Sequence, residues 1–204
     1  MCSDSNSHHW QHKKIKELSE TYAGGTPSRN AFGMFGGFIP WVKSSELNIN
    51  QITDTEEKLT EFGYKSSSVK WVPPNTALIA MYGATAGVVS WLKIAAVTNQ
   101  AVLAVPTRDK SISSRWLYWI LQFYSGKLLA TVQGSGQPNL SKKLIDEVEV
   151  NTPLIVAEQQ KIAEILDTVD KTIALTQTHI SKLKLAKAGL LHDLLTKGID
   201  EHGE

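Results

Sequence analysis

Cysteine is almost missing from this sequence: Cys2 is the single one in 204 residues. That excludes an internal disulfide framework and any zinc site built on paired thiolates. An excess of one charge is missing too. The 21 basic and 20 acidic side chains nearly cancel, so bulk charge announces neither nucleic acid nor a membrane surface. The polar start Met1-Cys2-Ser3-Asp4-Ser5-Asn6-Ser7-His8-His9 has no apolar core of the kind a secretion signal needs. Long hydrophobic runs are also lacking. Thr76–Leu92 runs 17 residues without a charge, short of the roughly 20 apolar residues that span a bilayer. Pro73-Pro74 precedes it, and Gly83 and Gly87 interrupt it. It reads as two buried strands, Ala77–Met81 and Gly87–Leu92, joined by the turn Tyr82-Gly83-Ala84-Thr85. With 42% hydrophobic and 20% charged residues, the expectation is a reduced, soluble, cytoplasmic protein with no membrane partner.

Proline and glycine run out near residue 150. All six tryptophans and all but three of the 14 glycines lie before it. In that first part, strand-like runs stand at Phe38–Val42, Val69–Val72, Ala77–Met81, Gly87–Leu92 and Gln100–Val105. Arg115–Leu129 carries Trp116, Leu117, Trp119, Ile120, Leu121 and Phe123 on helical spacing. Irregularly ordered strands and helices of this kind predict an α+β domain, residues 1–152.

From Ala157 to Lys197 there is no proline, and Gly189 is the one glycine. Alternating steps of four and three pick out Ile162, Leu166, Val169, Ile173, Thr176, Ile180, Leu183, Lys187, Leu190 and Leu194. Eight of those ten are apolar, the seam of a coiled coil rather than the broader face of a globular helix. Such a helix would extend about 60 Å. Residues 153–204 are therefore expected to form one long helix whose seam lies on a partner helix; packing flat along its own domain is the alternative. Residues 1–150 carry a net +3 and residues 151–204 a net −2, which permits phosphate contact by the first part without demonstrating it.

Catalytic signatures are mostly absent. Lys70-Trp71-Val72-Pro73-Pro74-Asn75 superficially looks like the Pro-Pro motif of amino-methyltransferases. It lacks both the polar residue before the prolines and the aromatic after them. Gly134-Ser135-Gly136 opens like a nucleotide loop, but Asn139 stands where the last glycine belongs. Gly126-Lys127 is followed by Leu128, so it is no phosphate-cradling loop. His8, His9 and His12 could ligate a metal if the segment were helical, but it reads as a frayed polar terminus. No metal site is expected, and the chain looks like a binding and assembly protein.

Three polar segments and a turn are candidates for the binding. Ala23-Gly24-Gly25-Thr26-Pro27-Ser28-Arg29 offers backbone amides, hydroxyls and a guanidinium suited to bidentate contacts. Lys43-Ser44-Ser45 adds a cation and two hydroxyls after the strand-like Ile39-Pro40-Trp41-Val42. Gln133–Asn139 supplies amides of the type that pair with adenine in a major groove. Tyr82 in the turn either reaches DNA or caps the core.

Taken in order, these segments carry a resemblance. Lys14-Ile15-Lys16-Glu17-Leu18 leads to Gly25-Thr26-Pro27-Ser28 and then Ile39-Pro40-Trp41-Val42. Val72-Pro73-Pro74-Asn75-Thr76, Tyr82-Gly83-Ala84-Thr85, Thr98-Asn99-Gln100 and Gln137-Pro138-Asn139-Leu140-Ser141 follow. Pro153-Leu154 and Glu158-Gln159-Gln160-Lys161-Ile162-Ala163-Glu164-Ile165-Leu166 close the series. Each is degenerate alone; in this order, over about nine-tenths of the chain, they are specific. The sequence resembles the specificity subunits of type I restriction–modification systems.

The resemblance implies a target recognition domain that reads half of a bipartite double-stranded DNA site, followed by a conserved-region helix. That helix would set the distance between halves and dock modification subunits. Those subunits would hold S-adenosylmethionine and methylate adenine, so this chain itself would need no cofactor and catalyse nothing. Whether restriction subunits join is left open. Typical members carry two recognition domains and two helical regions, whereas no motif here occurs twice. The chain thus resembles a half-length subunit, natural or cut from a longer parent. Two copies pairing their helices antiparallel would form a homodimer and demand a palindromic site. The DNA-contact candidates are Ser28, Arg29, Lys43, Ser44, Tyr82, Lys93, Gln137 and Asn139. The seam candidates are Ile162, Leu166, Val169, Ile173, Ile180, Leu183, Leu190 and Leu194. Two other classes stay open here: a coiled-coil scaffold gripping a protein partner, and a methyltransferase, for which no cofactor loop is found.

Overall fold

A computed structural model describes residues 10–132 and 139–199. In chain order, β1 (Trp10–Lys14), α1 (Ile15–Leu18), β2 (Tyr22–Ala23) and β3 (Phe35–Val42) lead to a 3-10 turn at Ser44–Asn48. Then come β4 (Gln51–Ile52), β5 (Glu57–Leu59), α2 (Glu61–Lys65), β6 (Trp71–Val72), β7 (Thr76–Ala80) and β8 (Val89–Leu92). The remainder is β9 (Ala96–Thr98), β10 (Val102–Val105), α3 (Ser114–Val132), α4 (Lys142–Asp146), β11 (Glu149–Pro153) and α5 (Val156–Thr196). The expected α+β domain with a long C-terminal helix is what forms.

Three small sheets make up the globular part. The largest has the order β2-β10-β7-β8-β4, the second β5-β3-β9-β6, and β1 pairs with β11 alone. Pairing is antiparallel except β3 with β9 and β4 with β8. The uncharged stretch folds into the hairpin β7–β8, buried at every strand position because α3 packs one face and a second apolar cluster the other. Among the described residues, no helix is long and apolar enough to cross a membrane.

α3 buries Trp116, Leu117, Tyr118, Leu121 and Leu128. Phe123, expected on that face, instead stands 66% exposed, because the packed face turns through Tyr118 and not through position 123. Several strands are shorter than their apolar runs: Gln100 and Gly87 sit in the turns beside β10 and β8, and Val69 in irregular chain before β6.

Strand β1 was not expected at all. His12 pairs with Asn151 in an antiparallel register running from Trp10–Pro153 to Lys14–Glu149. His12 is therefore on a strand, which removes the helical-turn spacing that a His8–His12 metal pair required; His8 and His9 lie outside the described residues. Among the described residues no group of three potential metal ligands gathers.

The chain divides into two compact units between Ala163 and Glu164, later than the composition shift at 152/153. The first turns of α5 belong to the globular unit because Gln159 and Ala163 are buried there. Ile162, assigned to the seam, packs on the globular core as well. From Leu166 onward the seam residues Leu166, Val169, Ile173, Ile180, Leu183, Leu190 and Leu194 are exposed along α5. A single chain leaves that stripe uncovered.

Candidate nucleic-acid interface

The loop after β2 approaches the sheet so closely that side chains are excluded. A Cβ on Gly24 would stand 1.9 Å from the Thr98 carbonyl oxygen, and one on Gly25 2.5 Å from Ser68 Oγ. The Gly25 amide donates to Thr98 O (2.9 Å), and its carbonyl accepts from Trp41 Nε1 (3.2 Å). Thr26 Oγ1 hydrogen-bonds Gln100 Oε1. The Gly-Gly-Thr segment, the strand carrying Trp41 and the Thr98-Asn99-Gln100 turn thus form one structural joint. These contacts hold the loop against the sheet.

Arg29 sits on that joint. Its Nη2 lies 2.9 Å from Glu57 Oε2, and its guanidinium is stacked 4.6 Å over Phe35 and 5.4 Å over Trp41. Lys43 reaches the same acid, with Nζ 2.8 Å from Glu56 and 3.4 Å from Glu57. The Arg29 hydrogen bond, helped by Lys43, holds the Glu57 carboxyl below its ordinary value against the opposing effect of burial. The Glu56 hydrogen bond raises Lys43. The structure therefore brings two cation candidates together around a carboxylate that sequence spacing could not reveal. Ser28 is exposed, and Ser44 is half-buried at the start of the 3-10 turn.

Tyr82 and Asn139 also meet, as an isolated antiparallel bridge. The neighbouring Leu140 amide donates to Met81 O (2.6 Å), and Tyr82 packs on the larger core cluster. Tyr82 thus caps the core while remaining partly exposed. Gln137 lies outside the described residues. Lys93 is exposed just after β8, its amide donating to Ile52 O (2.9 Å). Two exposed rings were missed: Phe32 and Phe38 are 100% and 95% exposed. They flank a glycine-rich bulge in which both Phe35 and Ile39 are in register with Leu59. The run Phe32-Gly33-Met34-Phe35-Gly36-Gly37-Phe38 was the available signal, since Gly33 and Gly36 take positive φ there.

The motif at the start of the chain is likewise structural. Lys14 and Lys16 both grip Glu147, at 2.6 and 2.5 Å, while Ile15 and Leu18 are fully buried. Asn75, after the paired prolines, takes φ 60° and donates its amide to Leu92 O (2.7 Å).

Residues 7–185 match the type I restriction modification DNA specificity domain. The chain belongs to that family. It is 32% identical over 169 residues to the MjaIX specificity subunit of Methanocaldococcus jannaschii, covering 80% of this chain and 38% of that protein. The EcoR124I/EcoR124II specificity subunit of Escherichia coli is 27% identical over 164 residues, covering 78% and 40%. Among solved structures, the HsdS subunit of Thermoanaerobacter tengcongensis superposes with a TM-score of 0.69 at 17% identity. A chain from a type I restriction–modification assembly gives 0.76 at 18%. Each of the two is covered to 48% of its length. The specificity-domain fold is thus shared, and this chain spans about two-fifths to a half of the proteins it matches.

Proposed function

We propose that this specificity domain reads one half of a bipartite double-stranded DNA site and positions adenine methyltransferase subunits on it. The chain itself is non-catalytic in this reading; the S-adenosylmethionine is held by the modification subunits, and the complex acts in the cytoplasm. The observation that carries the proposal is the uncovered apolar seam of α5 on a chain that contains the family domain once. An apolar stripe about 40 Å long is costly in water and calls for another helix.

A second copy, antiparallel, supplies that helix. Centred near Thr178, the layers become Leu166 with Leu190, Val169 with Lys187, Ile173 with Leu183, and Thr176 with Ile180. Lys187 then covers Val169 with its methylene stem while its ammonium reaches water. Two-fold symmetry makes the two half-sites inverted copies of each other. For DNA contact, exposed Lys93 and Ser28 are the foremost of the sequence candidates. Arg29 and Lys43 can contribute only by sharing or leaving Glu57.

The test is binding to methylatable duplexes over a range of salt. Counterion release makes DNA affinity fall steeply with salt. Binding unchanged from low to high salt would favour the protein-scaffold reading instead.

A further inference from the structure

Gln159 is a polar side chain in an apolar place. It is 1% exposed, yet both ends of its amide are satisfied. The Ser113 amide donates to Oε1 (2.7 Å), and Nε2 donates to Pro153 O (2.9 Å) and Ser111 O (3.3 Å). Those partners come from the loop leading into α3 and from the end of β11. One turn further on, Ala163 is 2% exposed, and Ile162 packs on the same core. Leucine at this position would hold the helix root by contact alone. An amide bonded in three directions also fixes its rotation and its position along the axis, because hydrogen bonds weaken steeply off-line.

The root matters because α5 is a lever. Its 41 residues extend about 60 Å, so a tilt of about 3° at the root moves the far end about 3.4 Å, one base-pair step. We infer that Gln159 is the positioning residue that sets how narrowly the assembly discriminates the spacer between its two half-sites. This rests on the DNA-reading proposal above. It assigns to one buried amide the sharpness of the spacing, as distinct from the reading of bases.

The experiment expresses the full chain with its modification subunit and maps methylated sites by sequencing. Wild type, Gln159→Met, Gln159→Glu and the exposed-neighbour control Gln160→Met are compared. Gln159→Met keeps the shape and removes all three bonds. Gln159→Glu keeps the oxygen that accepts from Ser113 and serves if the Met variant fails to accumulate. The expected result is unchanged half-sites with methylation at spacers one base pair longer or shorter raised about tenfold, and no change for Gln160→Met. Tenfold is the preference that about one net hydrogen bond represents. A folded Gln159 variant that keeps the single wild-type spacer overturns the inference, as does one that changes the half-site sequence. If the wild type methylates no bipartite site, the DNA-reading proposal falls and this inference falls with it.

Discussion

At the scale of single residues, the side chains that make the sequence recognisable are mostly those that hold the loops. Gly24 has no room for a methyl group, since the obstructing atom is the backbone carbonyl of Thr98, which cannot swing aside. Gly24→Ala is expected to lower stability by about 3 kcal/mol, at the upper end of overpacking costs, measured by chemical denaturation. Glu147 gives a second prediction. The hydrogen bonds from Lys14 and then Lys16 pull its carboxyl down to about 2 from 4.5. A carboxyl depressed in the folded state stabilises the fold at pH above its unfolded value. That contribution is lost as pH falls from about 4.5 through about 2. Thermal melting should show wild type losing its advantage over Glu147→Gln across that window, while the difference stays flat above it. Parallel curves throughout would disconnect the ion pairs from stability.

Arg29 and Lys43 show where reading residues one at a time stops. Each looked free because each stands at a loop or strand end, and a cation there is a natural phosphate ligand. Glu57 lies 28 positions from Arg29 in the chain and faces it only because β5 pairs with β3. Nothing in the spacing of the cations encodes that carboxylate. The loss from Arg29→Ala should therefore include stability, about 1 kcal/mol from the stacked guanidinium, on top of any effect on DNA.

At the scale of elements, legibility followed periodicity. The hairpin β7–β8, the helix α3 and the helix α5 announce themselves through apolar runs or a repeat, and all three form close to their expected bounds. β1 does not, because Trp10-Gln11-His12-Lys13-Lys14 has no alternating apolar face. It becomes a strand through its partner β11, 135 or more residues away in the chain. Ile162 fits the heptad and also the globular core, and only the fold decides which surface claims it. For α5, the seam prediction is direct. Ile173→Lys with Leu183→Lys places charges in one layer and should abolish self-association, shifting the sedimentation coefficient to that of the monomer. The circular dichroism of the globular strands and the fluorescence of its tryptophans should stay unchanged, because residues 173 and 183 lie outside the globular unit.

At the scale of the whole molecule, the proposed reading makes this specificity domain and the exposed seam of α5 one half of a symmetric pair. The proposed antiparallel pairing of two copies rests on the exposed apolar stripe along α5. The most direct measurement is the mass in solution by light scattering, for the chain alone and with its modification subunit. A dimer of about twice 22.5 kDa that takes up two modification subunits is the expected result. A chain that stays monomeric at micromolar concentration, alone and with that subunit present, would contradict it.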